Sequence, residues 1–237
     1  MQNEQERNIL KKWKHPNCKA HNWLFYKIGE KFLNKYSPLM NGKLFDFGCG
    51  EGAYKSLFLA HANEYIGVDW EGSVHKAQLD IAADLNKALP IENGAADCVV
   101  ALSVLEHLYE PQVMLNEAYR ILKPGGAMII QVPWQWWIHE QPHDYFRFTP
   151  FGLKYMLEKA GFTGIEIESQ TGFCSMWILK FNYFSRRFTL RKGLLSKIIK
   201  MFLVPIWFIG QKMAPTLDLL DRNWMLESCG YYAVAKK

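Results

Sequence analysis

The chain of 237 residues has no CxxC pair, no internal repeat, no low-complexity tract and no uninterrupted apolar run of membrane-spanning length. The missing CxxC pair removes the spacing of zinc ribbons and thioredoxin-like redox sites. The five cysteines, Cys18, Cys49, Cys98, Cys174 and Cys229, are odd in number and widely scattered. That pattern excludes a disulfide framework and predicts free thiols in a reducing compartment. The first residues, 1–8, are polar, so no secretory signal is expected there. Surplus charge is modest, at +5. It leaves room for anionic partners but does not point to nucleic acid. Hydrophobic residues make up 49% and aromatics 15%, which excludes a disordered chain. The length fits one core with decorations.

The densest signal is the stretch Phe45 to Gly52, reading FDFGCGEG. Apolar residues Leu44, Phe45 and Phe47 flank Asp46 and run into Gly48, Gly50 and Gly52. A strand ending in such a turn brings backbone close to a ligand, because no Cβ intervenes. A helix opening after Gly52 is expected to aim its N–H groups at the same place. The spacing alone is ambiguous. Gly48, Gly50 and Ala53 satisfy a dinucleotide fingerprint, while Gly48, Gly50 and Gly52 satisfy a tighter nucleoside-binding one. Asp69 ends the apolar run 65–68 and suits ribose hydroxyls of either ligand. Asp46 discriminates. A carboxylate there repels a pyrophosphate and attracts an ammonium or sulfonium, so S-adenosylmethionine is favoured over a nicotinamide dinucleotide.

Further segments follow in a fixed order. The run 97–107 reads DCVVALSVLEH, the run 122–126 reads LKPGG before apolar residues 127–132, and the run 143–149 reads HDYFRFT. With the glycine turn and Asp69, these resemble class I S-adenosylmethionine-dependent methyltransferases, nearest to their type 11 branch, over about Leu44 to Phe162. The resemblance implies a Rossmann-like α/β fold: seven strands, mostly parallel, the last antiparallel, with helices on both faces. It implies S-adenosylmethionine as cofactor. Its binding residues would be Asp46, Gly48, Cys49, Gly50, Gly52, Asp69, Trp70, Asp84, Leu85 and Ser103. Asp84 would hold the adenine amino group, with Asp80 as competitor. Trp70 would stack on adenine or simply pack. Cys49 has a plain reading as a small residue in a tight loop.

Strands are expected near 43–47, 64–69, 77–81, 97–102, 127–132, 165–168 and 231–234. Leu24, Phe25, Ile28, Phe32 and Leu33 share one helical face before the first strand. Thr149 and Pro150 open a helix that Gly161 closes. The organisation expected is an N-terminal helical segment at 1–42, the cofactor domain at 43–171 and 229–237, and an insertion at 172–228.

That insertion is too long for a hairpin loop. From Lys180 to Arg222 it carries nine Lys or Arg against two Asp, a surplus of seven. Its apolar run Met201 to Ile209 is interrupted by Pro205 and is short of a membrane span. Basic residues beside Phe202, Trp207 and Phe208 predict a helix lying in an anionic membrane interface through 180–212. A lid or a homodimer surface is the alternative. The location expected is the cytoplasm, peripheral at the inner face of the membrane.

His107 and His143 are the candidate general bases, each following a strand at the carboxyl edge of the sheet. Each also has a plain structural reading. Residues 139–143, HEQPH, match the zincin pattern, but that motif needs both histidines on one helical face and Pro142 forbids it. No metal is expected on this ground. The acceptor class expected is a small molecule or a lipid-linked intermediate, a sugar included. Two rival functions remain: an NAD-dependent oxidoreductase, and a non-catalytic nucleoside-binding protein of the same fold.

Overall fold

A computed structural model describes residues 13–72, 79–221 and 226–237. Its centre is a seven-stranded sheet built from β1 (Lys43–Phe47), β2 (Glu64–Asp69), β3 (Ile81–Ala82), β4 (Ala96–Leu102), β5 (Leu122–Pro133), β6 (Thr163–Ser169) and β7 (Gly230–Lys236). The strand order is β3-β2-β1-β4-β5-β7-β6. Neighbours from β3 to β5 pair in parallel, and β7 runs antiparallel to both β5 and β6. This is the mostly parallel sheet with an antiparallel last strand that the resemblance implies. The strands are buried on both faces, so they read as apolar runs rather than as alternation. Val99, Ala101, Met128 and Ile130 face one core, and Cys98, Val100 and Ile129 face the other.

The helices are α1 (Trp23–Tyr36), α2 (Lys55–Phe58), α3 (Pro111–Ile121), α4 (Pro150–Ala160), α5 (Phe173–Arg186) and α6 (Leu194–Asp218). Helix α1 buries Leu24, Phe32, Leu33 and Tyr36, with Phe32 stacked on Tyr232 of β7. Phe25 and Ile28, expected on that same face, are half-buried. The N-terminal segment therefore packs into the sheet's own core. In α4, Thr149 Oγ1 accepts the Gly152 N–H at 3.1 Å, and Gly161 closes the helix with φ +102°.

Four expectations are corrected. The helix after Gly52 is four residues long and starts only at Lys55. It presents no ordered row of N–H groups to a phosphate. The third strand is a two-residue bridge at 81–82, and the rest of the expected 77–81 stretch lies partly outside the described residues. The segment 123–126 is a bulge inside β5, between the pairs Ala96–Leu122 and Cys98–Ala127.

The fourth correction concerns the insertion. Pro205 does not break the helix there. Helix α6 runs 25 residues with Pro205 and Pro215 inside it, and by length and composition it is able to cross a membrane. An internal proline costs about 3 kcal/mol or more in a lone helix. Here α6 lies along α5 and is fastened at several points. Trp207 is buried, donating from Nε1 to Ser185 Oγ at 2.8 Å, so it is a packing residue rather than a lipid-facing one. Buried Gln211 accepts from the Leu24 N–H and donates to the Ala20 carbonyl. At the far end Asp218 accepts from the Ser175 N–H at 3.1 Å. Arg222, counted in the basic surplus, and residues 1–8 lie outside the described residues.

Candidate functional site

At the carboxyl edge of the sheet, where β1 and β4 diverge to opposite sides, lies a cavity of about 440 Å³. This is the place where open α/β sheets hold ligands, and the size suits a drug-sized molecule. Asp46, Gly48, Cys49, Gly50, Asp69, Trp70, Asp84, Leu85, Ser103, His107 and His143 all line it. Gly52, the remaining predicted residue, turns the loop just beyond with φ +66°.

The loop geometry follows from its glycines. Gly48 has φ +69°, and a Cβ on it would come within 2.4 Å of Val104 Cγ2. The backbone between β1 and α2 can therefore lie against the β4 turn only if residue 48 has no side chain. Ser103, at the end of β4, also adopts a positive φ of 56°. Its N–H donates to the Gln131 carbonyl at 3.0 Å and its hydroxyl to Gln131 Oε1 at 2.5 Å. These bonds hold a strained backbone at the cavity wall.

Asp69 Oδ2 accepts the Gly50 N–H and Oδ1 accepts the Trp70 N–H, both at 2.8 Å. Each oxygen keeps a free lone pair for a ligand hydroxyl. Asp46 is buried and accepts from Tyr65 Oη at 2.8 Å. Burial pushes its carboxyl up to about 7, with Tyr65 opposing and Asp69 adding. A ligand ammonium placed beside Asp46 would restore the carboxylate, and proton and ligand would then compete. Between pH 5 and 7 we expect S-adenosylhomocysteine affinity to fall with each unit of acidification, by up to about tenfold. Above that range it should level off, and Asp46→Asn should bind weakly without this slope. Calorimetry across pH checks it, and a flat wild-type profile would contradict it.

Of the two carboxylates weighed for adenine, only Asp84 lines the cavity. Asp80 is occupied with the Gly67 N–H at 2.8 Å. Asp84 Oδ1 closes a turn on the Asn86 N–H at 3.0 Å, and Oδ2 pairs with Lys87 at 3.0 Å. Trp70 is 44% exposed on the rim, in edge contact with His143 at 5.5 Å between ring centres. Among the described residues lining the cavity there is neither Lys nor Arg.

The loop 143–149 divides into two parts. Asp144 and Arg147 are used internally. Arg147 pairs bidentately with Asp144 at 2.5 and 2.8 Å and also donates to the Trp137 carbonyl. Burial raises the Asp144 carboxyl, but Arg147 and the His139 N–H outweigh it and hold it at about 2. His143 and Tyr145 instead reach the cavity, with His143 Nδ1 3.2 Å from Tyr145 Oη. The pattern HEQPH is not helical, and His139 and His143 point to different places. His139 turns toward Glu106 and Asp144, 3.9 and 3.3 Å away.

Sequence reasoning assigned no role to several residues at the site. Glu106 is fully buried, and burial pushes its carboxyl up to about 8. The strand-end run containing it gave no sign of that burial. His15 and Tyr26, stacked at 4.2 Å, cover one side of the cavity from the N-terminal segment. No local motif marks them. On the insertion, Phe173, Trp177, Phe181, Phe184 and Phe188 are exposed at helical spacing along and just beyond α5. A search for that period would have found them.

A family model described as a methyltransferase domain matches residues 45–130. The chain is 30% identical, over 53% of its length and 52% of the relative's, to a probable S-adenosylmethionine-dependent methyltransferase of Mycolicibacterium smegmatis. It is 28% identical, over 58% of its length and 66% of the relative's, to a ubiquinone biosynthesis O-methyltransferase of Cereibacter sphaeroides. The chain thus spans about half to two thirds of the curated relatives it matches. A solved S-adenosylmethionine-dependent methyltransferase from Archaeoglobus fulgidus superposes with a TM-score of 0.57 at 20% identity, covering 89% of this chain and 94% of that one. At that identity the likeness is one of fold.

Proposed function

Residues 45–130 belong to the class I S-adenosylmethionine-dependent methyltransferases, and on that premise we propose that the whole chain methylates a small-molecule or lipid-linked acceptor. The observation that carries this reading is the pair Asp46 and Asp69 in one cavity with no Lys or Arg among its described lining residues. Two carboxylates suit a ligand with an ammonium, a sulfonium and ribose hydroxyls. A dinucleotide would set its pyrophosphate against them without a compensating cation or a helix terminus. The rival oxidoreductase reading fails there.

When bound, S-adenosylmethionine supplies an electrophilic methyl group on a sulfonium. The chain's part is alignment and exclusion of water. Asp69 fixes the ribose, Asp46 the ammonium, and Asp84 with Leu85 the adenine. Trp70, Tyr145 and His143 shape the acceptor side. The relatives named for O-methylation favour an oxygen nucleophile, which must lose a proton. His143, at the cavity rim, takes it. A non-catalytic binder would not need this group. Calorimetry with S-adenosylmethionine, S-adenosylhomocysteine and NAD tests the cofactor. Transfer of a labelled methyl group into extracts of a deletion strain tests the reaction. Tight NAD binding without heat from S-adenosylmethionine would end the reading.

The insertion supports a peripheral, lipid-facing version of this function at the cytoplasmic face of a membrane. Helix α6 exposes Met201, Phe202, Ile206, Phe208 and Ile209, and the aromatic row of α5 extends this apolar surface. Arg186, Arg187, Arg191, Lys192, Lys197 and Lys200 cluster where the two helices join. Each near-surface cation contributes about 1 kcal/mol toward an anionic leaflet. Although α6 has the length to cross a bilayer, its buried stripe of Trp207, Gln211 and Ala214 ties it flat against the protein. We expect co-sedimentation with anionic vesicles that weakens at high salt. Phe202→Ser with Phe208→Ser should abolish it without altering cofactor affinity, and Trp207 is left intact because it holds the helix pair together. A wild type that ignores vesicles and forms a dimer broken by these changes would make the surface a subunit interface.

A further inference from the structure

We propose that Glu106, His107 and His139 form a binding site for one divalent transition-metal ion in the wall between the large cavity and a small neighbouring one. The ligand atoms of these three side chains lie within 4.8 Å of one another. Glu106 is 0% exposed, and among the described residues neither of its carboxylate oxygens receives a hydrogen bond. An unmatched buried carboxylate is costly, and native structures supply it with a partner.

The two histidines are oriented to supply that partner jointly. His107 Nδ1 lies 2.6 Å from the His143 carbonyl oxygen, which can only accept. His107 Nδ1 therefore donates, and its Nε2 faces Glu106 Oε1 at 3.7 Å. His139 Nδ1 lies 3.3 Å from Asp144 Oδ2, and its Nε2 faces the same Glu106 oxygen at 3.9 Å. Asp144 is itself clamped by Arg147. A carboxylate behind a histidine is the arrangement that orients metal ligands. Glu106 Oε1 and the two Nε2 atoms therefore converge. A tetrahedral zinc with bonds of about 2.0–2.1 Å keeps its ligand atoms about 3.3 Å apart. The two Glu106–histidine separations, 3.7 and 3.9 Å, lie close to that value, and with all three ligand atoms within 4.8 Å of one another the side chains need to close in slightly to hold an ion.

Two imidazoles and one carboxylate suit zinc, cobalt or iron better than magnesium or calcium. Three protein ligands leave a coordination position open, the mark of a catalytic rather than a structural site. The cluster touches both cavities: His107 and Glu140 line the large one, Glu106 and His139 the small one. Glu140 Oε2 lies 3.8 Å from His107 Nε2, on the large-cavity side of the cluster. The sequence argued against a metal only through a helical His139–His143 pair, and this grouping is a different one. A small cation here would also fix the Glu106–His107 turn, from whose carbonyl at Glu106 the Tyr145 N–H hangs at 2.8 Å.

The test uses the full chain, stripped with a chelator and titrated with cobalt(II). Calorimetry and visible d–d absorption report binding, and elemental analysis reports the metal carried through purification. We expect one equivalent of cobalt, displaced by zinc. Glu106→Gln and His139→Ala should abolish it, and Asp144→Asn should weaken it by about 10–100-fold. S-adenosylhomocysteine affinity should be unchanged in all three, which separates this site from the cofactor reading. If Glu106→Gln fails to fold, the partly exposed His139→Ala decides. Absence of cobalt and zinc binding at millimolar concentration would overturn the proposal. So would retention of wild-type binding by His139→Ala.

Discussion

Asp69→Ala should lose most of its affinity for S-adenosylmethionine and S-adenosylhomocysteine. The carboxylate has two jobs. It accepts the Gly50 and Trp70 N–H groups, which shapes the loop, and its remaining lone pairs face the cavity. Two charge-assisted bonds to ribose hydroxyls, at about 1.5–3 kcal/mol each, correspond to a loss of about 10²-fold or more. Asp69→Asn should fall between, because its amide nitrogen cannot accept from a backbone N–H. Calorimetry gives the affinities, and a thermal melt separates loop damage from ligand contact. Near-wild-type affinity in the alanine variant would remove Asp69 from the cofactor site.

His143→Ala is expected to keep cofactor affinity and lose turnover by about 10²–10⁴-fold, the usual contribution of a positioned general base. Its imidazole sits between Trp70 and Tyr145 on the cavity rim. Labelled methyl transfer to the acceptor in extract reads turnover, and calorimetry reads binding. Parallel loss of both would give His143 a structural role through Trp70. Full activity would point to an acceptor that needs no deprotonation, such as a neutral amine.

The parts of the fold that sequence disclosed are those set by local apolar pattern. Strands β1 and β2 begin and end where the runs 43–47 and 64–69 do, because each is buried on both faces and closed by a polar or glycine turn. The glycine loop was legible for a steric reason: the approach to Val104 tolerates no Cβ at residue 48. What escaped depends on contacts distant in sequence. Pro205 signals a helix end in isolation, yet the groups that carry α6 past it lie at Ala20, Leu24 and Ser185. Trp207 reads as interfacial beside Phe208, but the helix turns it inward by one position. Glu106 and His107 were visible as a motif. Their meeting with His139, 32 residues on, required the β5 loop to fold back over the β4 turn.

Strand β7 sits between β5 and β6, yet it is made after the whole helical insertion. A chain leaving the ribosome therefore pairs only the five parallel strands β1 to β5, leaving β6 without a neighbour, and exposes both helices of the insertion before the sheet has its seam. Until residues 230–236 arrive, β5 and β6 each carry an open edge, and loop closure across the insertion must precede their pairing. Unpaired edges beside an apolar hairpin are what chaperones bind and what aggregates grow from. A membrane surface that captured α5 and α6 early would hide the hairpin during that interval, so synthesis near a bilayer should raise the yield of folded protein.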